Sequence, residues 1–213
     1  DEVLAVIKGV SDNPKGAQVL LSRTSSLFLT ALLEREVPEV YDGVIAIKGV
    51  SRDAGNRSKV AVWSEDEKID PVGSLVGTKG SRIQGVVREL SQERIDVIQW
   101  SADFETYVKR CFQPAQVNEI HKVPTVGRIV IVVGDDDVAL AFGKGRQNAR
   151  LASQLLKRSI DIYAATEWEE LSDMERTAAL TPREGDRLLE EEVEEVEETN
   201  RDKFSELDAL FSE

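Results

Sequence analysis

Val72-Gly73-Ser74-Leu75-Val76-Gly77-Thr78-Lys79-Gly80-Ser81-Arg82-Ile83-Gln84-Gly85-Val86-Val87-Arg88-Glu89-Leu90 reads as a short helix, a glycine-bounded basic turn and a second helix. Glycine admits positive φ and the close approach of another chain. The amides that open the following helix point outward with the positive end of its dipole behind them. Such a turn suits a phosphate backbone, and Lys79 and Arg82 add mobile charge to it. Fourteen glycines in 213 residues give on the order of one Gly-x-x-Gly by chance, so the neighbours decide what this one means.

Upstream, Ser25 or Ser26 caps a helix running to about Arg35, with Leu27, Phe28, Ala31 and Leu32 at helical spacing, and Val37-Pro38 ends it. Val44 to Val50 and Ser58 to Trp63 read as strands joined by a basic turn, Arg52 to Arg57. Asp70-Pro71 opens the helix that leads into the glycine turn. Arg94 to Trp100 closes the unit as a strand, so the order is helix, strand, strand, helix, helix, strand. That order recurs. Phe104, Val108, Cys111 and Phe112 share a helical face, and Val117 to Val123 and Val126 to Val133 read as strands. Asp135-Asp136-Asp137 leads a helix through Phe142; a second turn, Gly143-Lys144-Gly145-Arg146, precedes a helix from Gln147 and a strand, Ser159 to Tyr163. Ile95-Asp96-Val97 matches Ile160-Asp161-Ile162, and Gly77 matches Gly143, which makes the chain an internal duplication with a period of roughly 65 residues.

The two ends read differently. Val3 to Val10 and Gln18 to Ser22 are two strands around a turn-rich loop, and two strands make no core alone. They are the last hairpin of a barrel begun upstream, or an edge packed on the helices and strands after Ser22. The chain starts Asp1-Glu2-Val3 without Met and reads as a fragment, with a removed targeting segment left open. From Ala164 on there are 18 acidic and 5 basic residues, so the whole net charge of −13 lies there and the first 163 residues carry 22 of each sign. This acidic stretch is expected to be largely disordered, apart from a short apolar face of Phe204, Leu207, Leu210 and Phe211. Cys111 is the only cysteine, which excludes an intrachain disulfide and fits a reducing compartment, the cytosol. No run of about 18 apolar residues spans a bilayer, so no membrane partner is expected.

A glycine turn within this order of elements resembles the KH domain, whose loop clamps the backbone of about four nucleotides while bases face a groove beside the sheet. Closer still, Gln18 to Thr24, Glu36 to Gly43, Arg57 to Val62, Asp70 to Gly73, Gly77 to Arg82 and Gln147 to Ser153 resemble the NusA family of bacterial transcription elongation and termination factors. The resemblance covers about residues 18 to 163. It implies an α+β fold: closing strands of an RNA-binding OB barrel at 1–22, bacterial-type KH domains at 23–100 and 101–163, and an acidic tail at 164–213. It further implies binding of single-stranded nascent RNA, action of the full-length protein on RNA polymerase, antitermination protein partners and a monomeric, cytoplasmic factor. No cofactor, metal or catalytic residue is implied. Carried onto matching positions, the first RNA clamp is Gly77, Thr78, Lys79 and Gly80 with Ser81 and Arg82. The second is Gly143, Lys144, Gly145 and Arg146 with Gln147, Asn148 and Arg150. Arg146 stands where the family's loop has its fourth glycine, with a glycine one place earlier, a departure that bears on the second clamp's geometry.

Other features have plainer readings. Arg52, Arg57 and Lys59 either touch phosphates or are simply a solvated hairpin tip. The Asp135 to Asp137 run caps a helix rather than binding a metal, because no spaced ligands come after it. His121 is a strand-face histidine with no repeated acid or nucleophile around it and reads as structural rather than catalytic, Cys111 belongs to a core, and Trp63 and Trp100 close one. Gly73 to Gly80 lacks a P-loop ending, so a phosphate-processing enzyme is not expected. The alternative to an RNA-binding factor is an assembly scaffold, with a structural KH pair and a tail that binds protein.

Overall fold

In the computed structural model, which describes residues 2–13, 16–184 and 186, the helix-strand-strand-helix-helix-strand order occurs twice, with one extra short helix in the first repeat. In chain order they are β1 (Val6–Asn13), β2 (Gly16–Ser22), α1 (Ser26–Glu36), α2 (Pro38–Tyr41), β3 (Ala46–Asp53), β4 (Arg57–Trp63), α3 (Pro71–Val76), α4 (Ser81–Glu89), β5 (Arg94–Gln99) and α5 (Phe104–Phe112). The second half adds β6 (Val117–Lys122), β7 (Arg128–Val133), α6 (Val138–Phe142), α7 (Gln147–Leu156), β8 (Ser159–Ala164), α8 (Ala165–Glu170) and α9 (Asp173–Ala179). Each glycine turn carries a short 3-10 segment. The chain divides into two compact units. One runs to Gln113 and includes Gly143–Leu156; the other comprises Pro114–Phe142 and the described residues from Lys157 on.

In the first unit β1 and β2 form an antiparallel hairpin, and β3, β4 and β5 form a separate sheet. The central strand β4 runs antiparallel to β3 and parallel to β5. Ser25 caps α1 by accepting from the Leu27 N–H, as expected, but the buried face is Phe28, Leu29, Leu32 and Leu33. Leu27 is exposed and Ala31 is only half-buried, because the helix turns its stripe one residue further round than the spacing alone indicated. Pro38 does not merely end this helix; it begins α2, where its missing N–H is one that needs no partner. Phe28, Leu33, Val60, Val62, Leu75, Ile83 and Val86 form one core with the helices on one face of the sheet. Alternation sends Lys59 and Ala61 to the other face, on which α5 and α7 pack. Cys111 is fully buried and its thiol is pushed up to about 12, first by burial.

The expected basic hairpin tip is spent on internal pairing. Glu93, 0% exposed, accepts from Arg52 Nε (2.8 Å) and Nη2 (2.9 Å), from the Gly55 amide (2.8 Å) and from Ser58 Oγ. Arg52 also donates to the carbonyls of Arg23 and Ser25, tying the hairpin to the start of α1. Arg57 grips Asp96 with two nitrogens (2.9 and 3.1 Å), and the buried Lys59 meets the same carboxylate at 3.1 Å. These three cations hold strands together and offer no free charge. Trp63 and Trp100 meet edge to face at 6.2 Å beside Tyr107, and Lys48, at a bulge in β3, lies over both rings.

The second unit repeats the strand arrangement: β7 lies between antiparallel β6 and parallel β8. Val130 and Val132 pack against Trp168 and Ala179, with Tyr163, Leu171 and Leu180 around them. The folded chain therefore continues past Ala164, where the change in composition had suggested it stopped. Sparse apolar residues suffice here because they land on a ready-made sheet face, where Trp168 is buried. His121 stacks on Trp168 at 5.0 Å and meets Glu119 at 2.9 Å. Arg128 is buried and donates to Asp161 (2.8 Å), Asp186 (3.1 Å) and the carbonyls of Ala179 and Thr181. Its Asp161 pairing repeats that of Arg57 with Asp96 one period earlier. Asp135 accepts from Thr166 Oγ1 (2.6 Å) and N–H, and Asp137 accepts from the Gln116 amide. The aspartate run thus secures neighbouring elements. The rest of the acidic tail, with its Phe204 to Phe211 face, lies outside the described residues.

Candidate nucleic-acid interface

Asp70 caps α3 by accepting from the Val72 N–H, with Pro71 at the first helical position, and the helix ends at Gly77. Gly77 has φ 74° and ψ 170°, a region essentially restricted to glycine. Lys79 (φ 54°, ψ 28°) and Gly80 (φ 76°, ψ 14°) then turn through the left-handed region into α4. The second loop repeats this position for position. Gly143 has φ 68° and ψ 171°, Gly145 φ 59° and ψ 27°, and Arg146 φ 59°. The Gly80 amide donates to the Gly77 carbonyl at 3.0 Å and the Arg146 amide to that of Gly143 at 3.1 Å.

The exchange of arginine for the fourth glycine thus leaves the backbone of the second turn unchanged. Each loop holds one side chain in the left-handed conformation, Lys79 in the first and Arg146 in the second, at about 1–2 kcal/mol. The opening glycine is the constrained one. A Cβ on Gly143 would stand 2.8 Å from Asn148 Cβ and 3.0 Å from its amide nitrogen, whereas one on Gly145 would meet nothing within 4 Å. Gly145→Ala is expected to cost only the left-handed penalty of about 1–2 kcal/mol. Gly143→Ala adds a clash and should cost more, an ordering that denaturant unfolding of the two variants checks.

The side chains named from the sequence divide into two groups. Thr78, Lys79, Lys144, Gly145 and Arg146 are exposed, and neither lysine side chain has a partner among the described residues. Arg82, expected to be mobile, is fixed: its Nη1 donates to both Glu39 oxygens (3.0 and 2.9 Å) and to the Ser74 carbonyl (2.8 Å). Glu39 lies below the usual carboxylate range, held there by a backbone amide and then by Arg82. Gln147 Nε2 and Arg150 Nη2 both donate to Asp53 Oδ2, at 2.7 and 2.6 Å. Asn148 is buried and packs against Gly143, so it shapes the loop from beneath. An open groove of about 380 Å³ runs along α3 to the first loop, lined by Asp70, Gly73, Ser74, Gly77, Thr78, Ser81 and Arg82.

Glu39, Ser74 and Asp53 were not singled out from the sequence. Glu39 sits in a helix that Pro38 had concealed, and Asp53 is about a hundred residues from the side chains it holds, so no local pattern points to either. Among the described residues no group of three or more His, Cys, Asp or Glu could hold a metal ion, and no helix is long and apolar enough to cross a membrane.

A glycine turn joining two helices, on a repeated helix-strand-strand-helix-helix-strand frame with a mixed three-stranded sheet, defines a tandem KH protein, a class that binds single-stranded RNA. Residues 23–100 match the family described as the NusA-like first KH domain, and residues 104–170 the NusA-like second KH domain. The transcription termination/antitermination protein NusA of Halalkalibacterium halodurans is 42% identical, over 84% of this chain and 47% of that protein. Those of Bacillus subtilis and Borreliella burgdorferi are 43% and 36% identical, over 80% and 99% of this chain and 46% and 44% of theirs. The chain belongs to the NusA family and spans less than half the length of each of these relatives. The second match includes α8 and stops short of α9.

Proposed function

We propose that this chain is the RNA-holding part of a transcription elongation, termination and antitermination factor. Its two KH repeats, 23–100 and 101–163, grip single-stranded nascent RNA while the full-length protein acts on RNA polymerase. The observation that carries this reading is the identity of backbone conformation in the two glycine loops, each presenting an exposed lysine beside a helix amino terminus. Two such clamps suit a phosphodiester chain, which repeats its charge at a fixed spacing. In this reading β1 and β2 are the closing strands of an OB-type barrel, and the exposure of Ile7, Val10, Val19 and Leu21 is what a hairpin lacking its barrel would show. The factor works in the cytoplasm as a monomer, with antitermination proteins as further partners, and carries out no catalysis.

Titrating the chain into a fluorescently labelled, unstructured RNA of about 12 nucleotides tests it, since each clamp takes about four. Affinity should fall with salt, with a log-log slope of at least about −1.4, or roughly −0.7 for each of the two lysine contacts. A flat salt response, or equal binding to a duplex of the same length, would be incompatible with this function.

A further inference from the structure

We propose that Asp53 sets the affinity of the second clamp by occupying, in the free protein, the side chains that would otherwise reach the RNA. Its Oδ2 accepts from Gln147 Nε2 at 2.7 Å and from Arg150 Nη2 at 2.6 Å. Those residues are the first and fourth of α7, three apart and therefore on one side of its opening turn. A carboxylate there does what an incoming phosphate oxygen would do: it takes two donors and the favourable field of the helix amino terminus. The proposal rests on the RNA-binding reading above and adds to it a competition between two anions.

Asp53 is placed to be exchangeable. It lies at the end of β3, and the Arg150 and Asp53 side chains keep 57% and 30% of their surface exposed. Gln147 and then the Arg150 charge hold its carboxyl below the ordinary range, so it is ionised wherever RNA is stable. Arg82 in the first repeat is the contrast. It is tied by three acceptors, including the carbonyl of Ser74 within α3, and so braces the loop rather than waiting for a ligand. Lys79 and Lys144 thus make the first phosphate contacts. Arg150 joins only when a phosphate has displaced Asp53, and the free energy of the old pair offsets most of the new one.

Asp53→Asn should therefore bind the same 12-nucleotide probe roughly 3- to 5-fold more tightly at low salt, the range of an exposed ion pair. Its log-log salt slope should steepen by about 0.7, one phosphate contact more. Arg150→Ala should change affinity less than about 2-fold in the parent chain and by about 5-fold in the Asp53→Asn background, a coupling that a purely structural aspartate would not produce. Should Asp53→Asn disturb the β3–β4 turn, Asp53→Ser, which removes the charge and keeps a turn-forming oxygen, must give the same gain. Unchanged or weaker binding by both Asp53 variants, while the parent chain binds, overturns the proposal and leaves the RNA reading intact. Absence of binding by the parent chain overturns both.

Discussion

Thr78→Asp combined with Lys79→Asp should abolish most RNA binding and leave the fold standing, the largest functional effect expected from any pair of surface residues here. The first loop changes from one positive charge to two negative ones at the point where a phosphodiester must approach most closely. Like charges brought together in an interface cost several kcal/mol, so a loss of roughly 100-fold or more is expected at low salt. The substitutions are mild for the fold. Both side chains are exposed, Lys79 already has φ 54°, which aspartate tolerates better than most residues, and acids suit the amino terminus of α4. Circular dichroism and the unfolding midpoint should match the parent, and an unchanged RNA affinity in a folded variant would sink the assignment of this loop.

The contrast between Lys79 and Arg82 shows how much of the site could be read from the chain. Glycines at 77, 80, 143 and 145 impose backbone choices that depend on the residue itself, so both turns, their helices and the duplicated strands were legible without coordinates. What a cation does is not local. Arg52, Arg57, Arg82, Arg128 and Arg150 look alike in sequence, yet the structure gives each a carboxylate partner, and none of those carboxylates lies closer than 33 residues along the chain. The same limit applies to the segment after Ala164. Its composition signals disorder, but Trp168 and Arg128 make a folded cap of its first turns, because the face of Val130 and Val132 needs covering. Sparse apolar residues are enough where the template is already built.

Glu93→Gln should be the most destabilising conservative substitution in the first unit, by about 3–5 kcal/mol at neutral pH. The Arg52 and Glu93 side chains are 5% and 0% exposed, and every contact of the Glu93 carboxylate is with a donor: two guanidinium nitrogens, a hydroxyl and the Gly55 amide. Glutamine keeps the volume but turns an N–H₂ toward donors and leaves the Arg52 charge unpaired. The loss is a large share of the roughly 5–15 kcal/mol that typically holds a domain together. It would also remove the carboxylate that steadies the Arg52 guanidinium, whose Nη1 donates to the carbonyls of Arg23 and Ser25 at the start of α1. Replacing both partners, Arg52→Met with Glu93→Leu, should cost less than either single change, since no buried charge is then left alone. The pH dependence comes from the direction of the Glu93 shift. Burial pushes its carboxyl up, but Arg52, Ser58 and the Gly55 amide outweigh that, so the folded value lies below the unfolded one. The stabilisation is therefore complete above the ordinary glutamate range of about 4.3 and is lost as pH falls through the folded value. Urea midpoints of the parent chain and Glu93→Gln should lie far apart at pH 7 and draw together on acidification; a gap that stayed constant to about pH 3 would show that the carboxylate charge is not what Arg52 requires.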